Sequence, residues 1–123
     1  MTTILVVDDE FIIVDILADA LEEEGFRVLT APNGRKALEI LDRDAPALVL
    51  TDFMMPLMNG LELAQAIKAN PDWAHVPVVL LSGAQGAIAR NHPNLFAAIY
   101  DKPFRVDAIV ATAREITGTS SGR

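Results

Sequence analysis

Three aspartates, a lysine and a serine carry the chemistry open to this chain. They are Asp8 and Asp9 in Asp8-Asp9-Glu10, Asp52 in Thr51-Asp52, Ser82 in Ser82-Gly83, and Lys102 in Asp101-Lys102-Pro103-Phe104. Two unit charges about 4 Å apart repel by roughly 1 kcal/mol in water and about 4 kcal/mol at an effective dielectric of 20. If Asp8, Asp9 and Asp52 come within a few Å of one another, a third carboxylate adds to that repulsion and a divalent cation relieves it. An all-oxygen set of carboxylates, a carbonyl and water suits Mg²⁺, which keeps several waters and commonly bridges to phosphate. Such a pocket leaves positions open for a phosphoryl group, with an ammonium and a hydroxyl nearby to meet its oxygens.

Bringing these residues together is a task for the elements that precede them. Short apolar runs occur at Ile4-Leu5-Val6-Val7, Phe26-Arg27-Val28-Leu29, Ala47-Leu48-Val49-Leu50, Val78-Val79-Leu80-Leu81 and Ala97-Ala98-Ile99-Tyr100. Three of them are continuously apolar, as in strands covered on both faces. Helical patterns lie between them. Asn33 is placed to cap a helix through Ala37, Leu38 and Leu41, and Asn59 to cap one through Leu63, Ala64 and Ile67. A last helix sets Val106, Ile109, Val110, Ala113 and Ile116 on one stripe. Five strands with intervening helices predict an α/β fold, a doubly wound parallel sheet. In such sheets ligands sit at the carboxyl ends of the strands, where the chemistry-bearing residues fall. Between Gly83 and Asn94, Gly86 and Pro93 interrupt the pattern, so the helix there is expected to be short or irregular.

Composition narrows the options. The chain has 123 residues, 51% of them hydrophobic, with 10 Lys and Arg against 17 Asp and Glu for a net charge of −7. That balance argues against a surface for phosphate backbones, and so against nucleic acid as partner. The chain has no cysteine, which fits a reducing cytoplasm. No apolar run approaches the roughly 20 residues that span a bilayer. One domain over residues 1–118 with a tail over 119–123 is expected, leaving no room for an attached output domain.

Taken in order, Ile4-Leu5-Val6-Val7-Asp8-Asp9-Glu10, the stretch Asp52-Phe53-Met54-Met55-Pro56-Leu57-Met58-Asn59-Gly60, and Lys102-Pro103-Phe104 resemble the receiver domain of two-component response regulators. The resemblance covers residues 3–117 and implies a CheY-like sheet of strand order 2-1-3-4-5, standing alone as a single-domain regulator. It makes Asp52 the phosphoacceptor, attacking a phosphohistidine on a sensor kinase or phosphotransfer protein. Asp9 would bind Mg²⁺ directly, Asp8 mainly through water, and Met54 through its backbone carbonyl. Lys102 would pair with phosphoryl oxygens and Ser82 would hydrogen-bond one of them. Physical chemistry agrees with these roles, because phosphoryl transfer asks the protein mainly to position groups and neutralise equatorial oxygens.

The match departs from the family at the position three before the lysine. Many receivers carry a switching aromatic there, whereas this chain has Ile99 and places Tyr100 one residue later, on the opposite, core-facing side of the strand. In the first helix, Phe11, Ile12 and Ile16 exceed a single core stripe and are either a docking face for a donor's helical bundle or covered by neighbours. Met54, Met55 and Met58 are expected to tuck against the core, and His75 and His92 to lie in loops. Other readings are an aspartyl phosphatase, which Asp8-Asp9 fits poorly in spacing, a flavodoxin-like FMN binder, which those acids would repel, and a pseudo-receiver acting without phosphorylation.

Overall fold

The computed structural model describes residues 2–83, 87, 90–92 and 94–118. The β-strands are β1 (Thr3–Val7), β2 (Arg27–Ala31), β3 (Leu48–Asp52), β4 (Val78–Ser82) and β5 (Ala98–Asp101). Among the described residues the helices with defined bounds are α1 (Phe11–Glu23), α2 (Gly34–Arg43), α3 (Gly60–Ala69) and, following β5, α4 (Val106–Thr117). All strand pairs are parallel, in the order β2-β1-β3-β4-β5. The doubly wound sheet expected from the sequence is present.

Each strand's alternation divides its side chains between two cores. Leu5, Val7, Val49, Val78 and Leu80 pack with Ala37 and Leu41 of α2 and Leu63, Ala64 and Ile67 of α3. Ile4, Val6, Leu48, Leu50, Val79 and Leu81 pack on the other face with Leu17 and Leu21 of α1 and Ile109, Val110 and Ala113 of α4. Covering both faces is why β3 and β4 are buried along their whole length and why their sequences lack a polar alternation.

Side-chain caps define two helix starts. Asn33 accepts a hydrogen bond from the Lys36 amide at 2.9 Å. Asn59 and Glu62 form a reciprocal capping box that fixes where α3 leaves the loop after Asp52. β2 starts one residue later than its apolar run, because Gly25 turns the chain out of α1 at φ +93. The strand nevertheless continues to Ala31, paired with Val7. The irregular helix expected between Gly83 and Asn94 lies largely outside the described residues, as does the 119–123 tail.

Candidate phosphoryl-transfer site

β1, β3 and β4 end side by side, so Asp8, Asp52 and Ser82 arrive at one rim, all three buried. Lys102 joins them immediately after β5. Its amide donates to the Ser82 carbonyl at 2.6 Å, continuing the β4 to β5 ladder by one rung. Its Nζ lies 2.8 Å from Asp52 Oδ1, 3.6 Å from Glu10 Oε1 and 3.9 Å from Asp8 Oδ2. One ammonium therefore faces three carboxylates.

Asp8 is held by its own backbone and left incomplete. Its amide donates to the Ala31 carbonyl at 3.1 Å, and its Oδ1 accepts from the Glu10 amide at 2.9 Å. Oδ2 is buried with no hydrogen-bond partner among the described residues, since Lys102 at 3.9 Å is near enough to attract but not to bond. Burial, reinforced by the neighbouring charge of Asp52 and opposed by the Glu10 amide, pushes the Asp8 pKa up to about 6. Burial also raises that of Asp52, against the hydrogen bond from Lys102, with the charge of Asp9 adding to the rise. For Lys102, desolvation acts downward, but the Asp52 hydrogen bond and the charges of Asp52, Asp8 and Glu10 together push its pKa above the ordinary lysine value.

These are the marks of a site short of positive charge. Oxygens of Asp8, Glu10 and Asp52 lie within 4.8 Å of one another, all of them hard donors, and Asp8 Oδ2 has no hydrogen-bond partner among the described residues. A hard divalent cation fits that donor set. The membership differs from the sequence expectation of Asp8, Asp9 and Asp52. Asp9 is exposed and lines a cavity with Phe11, Val14, Thr30, Ala31 and Pro32; its charge reaches Asp52 although its carboxylate lies outside the close trio. Glu10 stands in the close group where the sequence reading puts Asp9. Its signal was its place as the third acid of Asp8-Asp9-Glu10, at the mouth of α1.

The loop after Asp52 also differs from expectation. Met55 and Met58 pack against the core, but Met54 is exposed. Ser82 Oγ donates to the Gly83 carbonyl at a long 3.3 Å. Tyr100 faces the core as expected: it packs on the α1 and α4 side, where its hydroxyl hydrogen-bonds with that of Thr112, while Ile99 lies on the opposite core. Phe11, Ile12 and Ile16 are exposed rather than covered by neighbouring elements.

Comparison with known proteins agrees with this fold. The sequence profile of the response regulator receiver domain matches residues 4–114. A probable chemotaxis protein CheY of Rhizobium etli is 32% identical over 94% of this chain and 92% of its own length. The probable transcriptional regulatory protein TcrX of Mycobacterium tuberculosis is 34% identical over 93% of this chain. The chain spans 49% of TcrX and 60% of a 14.6 kDa protein of Leptolyngbya boryana, so it covers about half the length of several curated relatives. Among solved structures, the signal receiver domain of a histidine kinase from Syntrophus aciditrophicus superposes with a TM-score of 0.88 at 26% identity, covering 100% of this chain and 95% of that one. The N-terminal domain of a receiver protein from Methanoculleus marisnigri superposes at 0.76 with 33% identity, covering 94% of this chain and 95% of that one.

Proposed function

The chain belongs to the response regulator receiver family, and from that premise we propose that Asp52 accepts a phosphoryl group from a phosphohistidine and that the acyl phosphate switches binding to another protein. The observation that carries this reading is the contact of Lys102 with Asp52 at 2.8 Å, beside a buried Asp8 oxygen with no hydrogen-bond partner among the described residues.

An Asp52 carboxylate oxygen attacks phosphorus in line; a P–O bond forms as the P–N bond to imidazole breaks, and the electron pair leaves with the imidazole. Lys102 already touches the attacking carboxylate, so its ammonium is placed to meet the charge that the transferred group brings. Ser82 holds its present acceptor at 3.3 Å, weakly enough to exchange it for a phosphoryl oxygen. Asp8, Asp52 and Glu10 would hold Mg²⁺, with Asp9 and the Met54 carbonyl as further donors. When bound, the ion supplies positive charge to the phosphoryl oxygens.

The donor class is a sensor histidine kinase or a histidine phosphotransfer protein, and a further protein reads the phosphorylated surface. Both would meet the chain in the cytoplasm. Among the described residues no helix is long and apolar enough to cross a membrane. The protein works as a signalling module and promotes only its own phosphorylation and dephosphorylation.

Incubation with Mg²⁺ and acetyl phosphate, followed by intact mass measurement, is expected to show one added phosphoryl group. The adduct should vanish in Asp52→Ala and when the metal is chelated. No adduct with either acetyl phosphate or a kinase would leave a pseudo-receiver, binding partners without phosphorylation, as the better reading.

A further inference from the structure

Thr51 precedes the nucleophile, is fully buried, and points by strand alternation to the side opposite Asp52. Its hydroxyl nevertheless bears on that residue, because Thr51 Oγ1 donates to the backbone carbonyl of Asp52 at 2.9 Å. The Met55 sulfur lies 3.8 Å from the same hydroxyl. The carbonyl is pressed from another direction too. A Cβ added to Gly60 would sit 2.5 Å from Asp52 O and 3.0 Å from the Cα of Phe53, so the start of α3 lies directly against the Asp52–Phe53 peptide. The N–H end of the same peptide is held separately, Phe53 N donating to Leu81 O at 3.0 Å, and the next carbonyl, Phe53 O, accepts from Gly60 N at 2.8 Å.

We infer that Thr51 is a positioning residue for phosphorylation: its hydroxyl pins the Asp52–Phe53 peptide against Gly60 and so fixes the direction in which Asp52 presents its carboxylate. The inference rests on the reading of Asp52 as phosphoacceptor and adds a residue that touches neither the phosphoryl group nor the cation. Asp52 is the last residue of β3, where the chain turns out of the sheet. With the N–H end of the Asp52–Phe53 peptide already held by Leu81 O, the Thr51 hydroxyl fixes its carbonyl end, and a carbonyl released there would tilt the Asp52 backbone and carry the carboxylate with it. In-line attack is sensitive to such movement, since a misplacement of about 1 Å can slow a reaction on the order of a hundredfold.

The competing account is that a buried hydroxyl simply satisfies itself on the nearest carbonyl. Two variants separate the accounts. Thr51→Val keeps the β-branched shape and removes the hydroxyl, while Thr51→Ser keeps the hydroxyl and removes the methyl. The rate of acyl phosphate formation on the full chain would be followed by intact mass, with saturating Mg²⁺ and varied acetyl phosphate, and referred to the folded fraction measured by circular dichroism. Thr51→Val is expected to lower the maximal rate about tenfold with the half-saturating acetyl phosphate concentration unchanged. Thr51→Ser is expected to react as the parent does, even where its stability falls. Both variants at the parental rate, both slowed, or only Thr51→Ser slowed would overturn the inference. A parent chain that forms no adduct overturns the phosphoacceptor reading first, and this inference with it.

Discussion

Asp52 and Lys102 meet at 2.8 Å from very different mountings. Asp52 closes β3, the central strand of five, buried at every position and flanked by β1 and β4. Lys102 follows β5, an edge strand of 4 residues paired only with β4 and half-buried or exposed throughout. The proposed nucleophile therefore stands on a strand buried along its whole length, and its counter-charge hangs from an edge strand with fewer ties. In the proposed switch, a change of charge on Asp52 would be answered on the β5 side, where the Tyr100 hydroxyl bonds that of Thr112 in α4. A fixed nucleophile beside an adjustable cation suits a switch better than two equally fixed groups would.

The comparison can be broken most directly by deleting packing on each side. Leu50 is buried in β3, between α1 and α4, and Leu50→Ala should cost about 3–5 kcal/mol in urea unfolding. Ile99 of β5 is half-buried, and Ile99→Ala should cost about 1–2 kcal/mol, because its site is already open to solvent on an edge. Equal losses would show that β5 is as firmly mounted as β3, and the proposed division of roles would fail.

The same division explains what the sequence made legible. β1, β3 and β4 announce themselves as unbroken apolar runs because both of their faces are covered, and the runs give way to Asp8, to Thr51-Asp52 and to Ser82. Asn33 and Asn59 marked helix starts because an amide side chain before an apolar stripe has few other uses. Where a residue's place depends on a loop rather than a period, the sequence was less informative. Whether Asp9 or Glu10 approaches Asp52 is decided by the turn from β1 into α1, where Glu10 takes the N-cap position without a side-chain cap. Met54 was expected inside with Met55 and Met58, but composition cannot say which of three loop methionines faces out. Nor could it say that Phe11, Ile12 and Ile16 are exposed, since that is a property of neighbours distant in the chain.

Electrostatics on the nucleophile side supply a second, smaller test. Asp8 has a folded-state pKa of about 6 against 3.8 for the free side chain. The folded state thus binds this proton more tightly than the unfolded chain does. The group's contribution to stability is fully present below about pH 4 and is lost as pH rises toward 6. At pH 7 and without divalent metal, the charged Asp8 should lower stability by about 2–3 kcal/mol. Asp8→Asn is expected to recover that amount in urea unfolding and to flatten the fall between pH 4 and 6. Mg²⁺ should stabilise the parent and have much less effect on the variant. Unchanged stability in Asp8→Asn at pH 7 would mean that Lys102 already compensates the buried carboxylate, making the site less short of positive charge than its geometry indicates.

The smallest effect concerns the loop that ties Asp52 to α3. Leu57 has φ +73, a left-handed conformation, and its side chain is 72% exposed. For a residue with a Cβ this conformation costs roughly 1–2 kcal/mol, and no burial offsets it here. The firm mounting of β3 accounts for its persistence, because the loop must return from a fixed Asp52 to Gly60, where an added Cβ would meet the Asp52 carbonyl at 2.5 Å. Glycine adopts this φ freely but gains more freedom in the unfolded chain, worth about 0.4–1 kcal/mol in the other direction. Leu57→Gly should therefore raise stability by a net of about 0.5–1 kcal/mol in urea unfolding, while Leu57→Ala, which keeps the Cβ, should leave it nearly unchanged. If alanine stabilises as much as glycine, exposure of the leucine rather than backbone strain is what the fold tolerates. If neither does, the loop relaxes, and the nucleophile's side of the site is softer than its burial suggests.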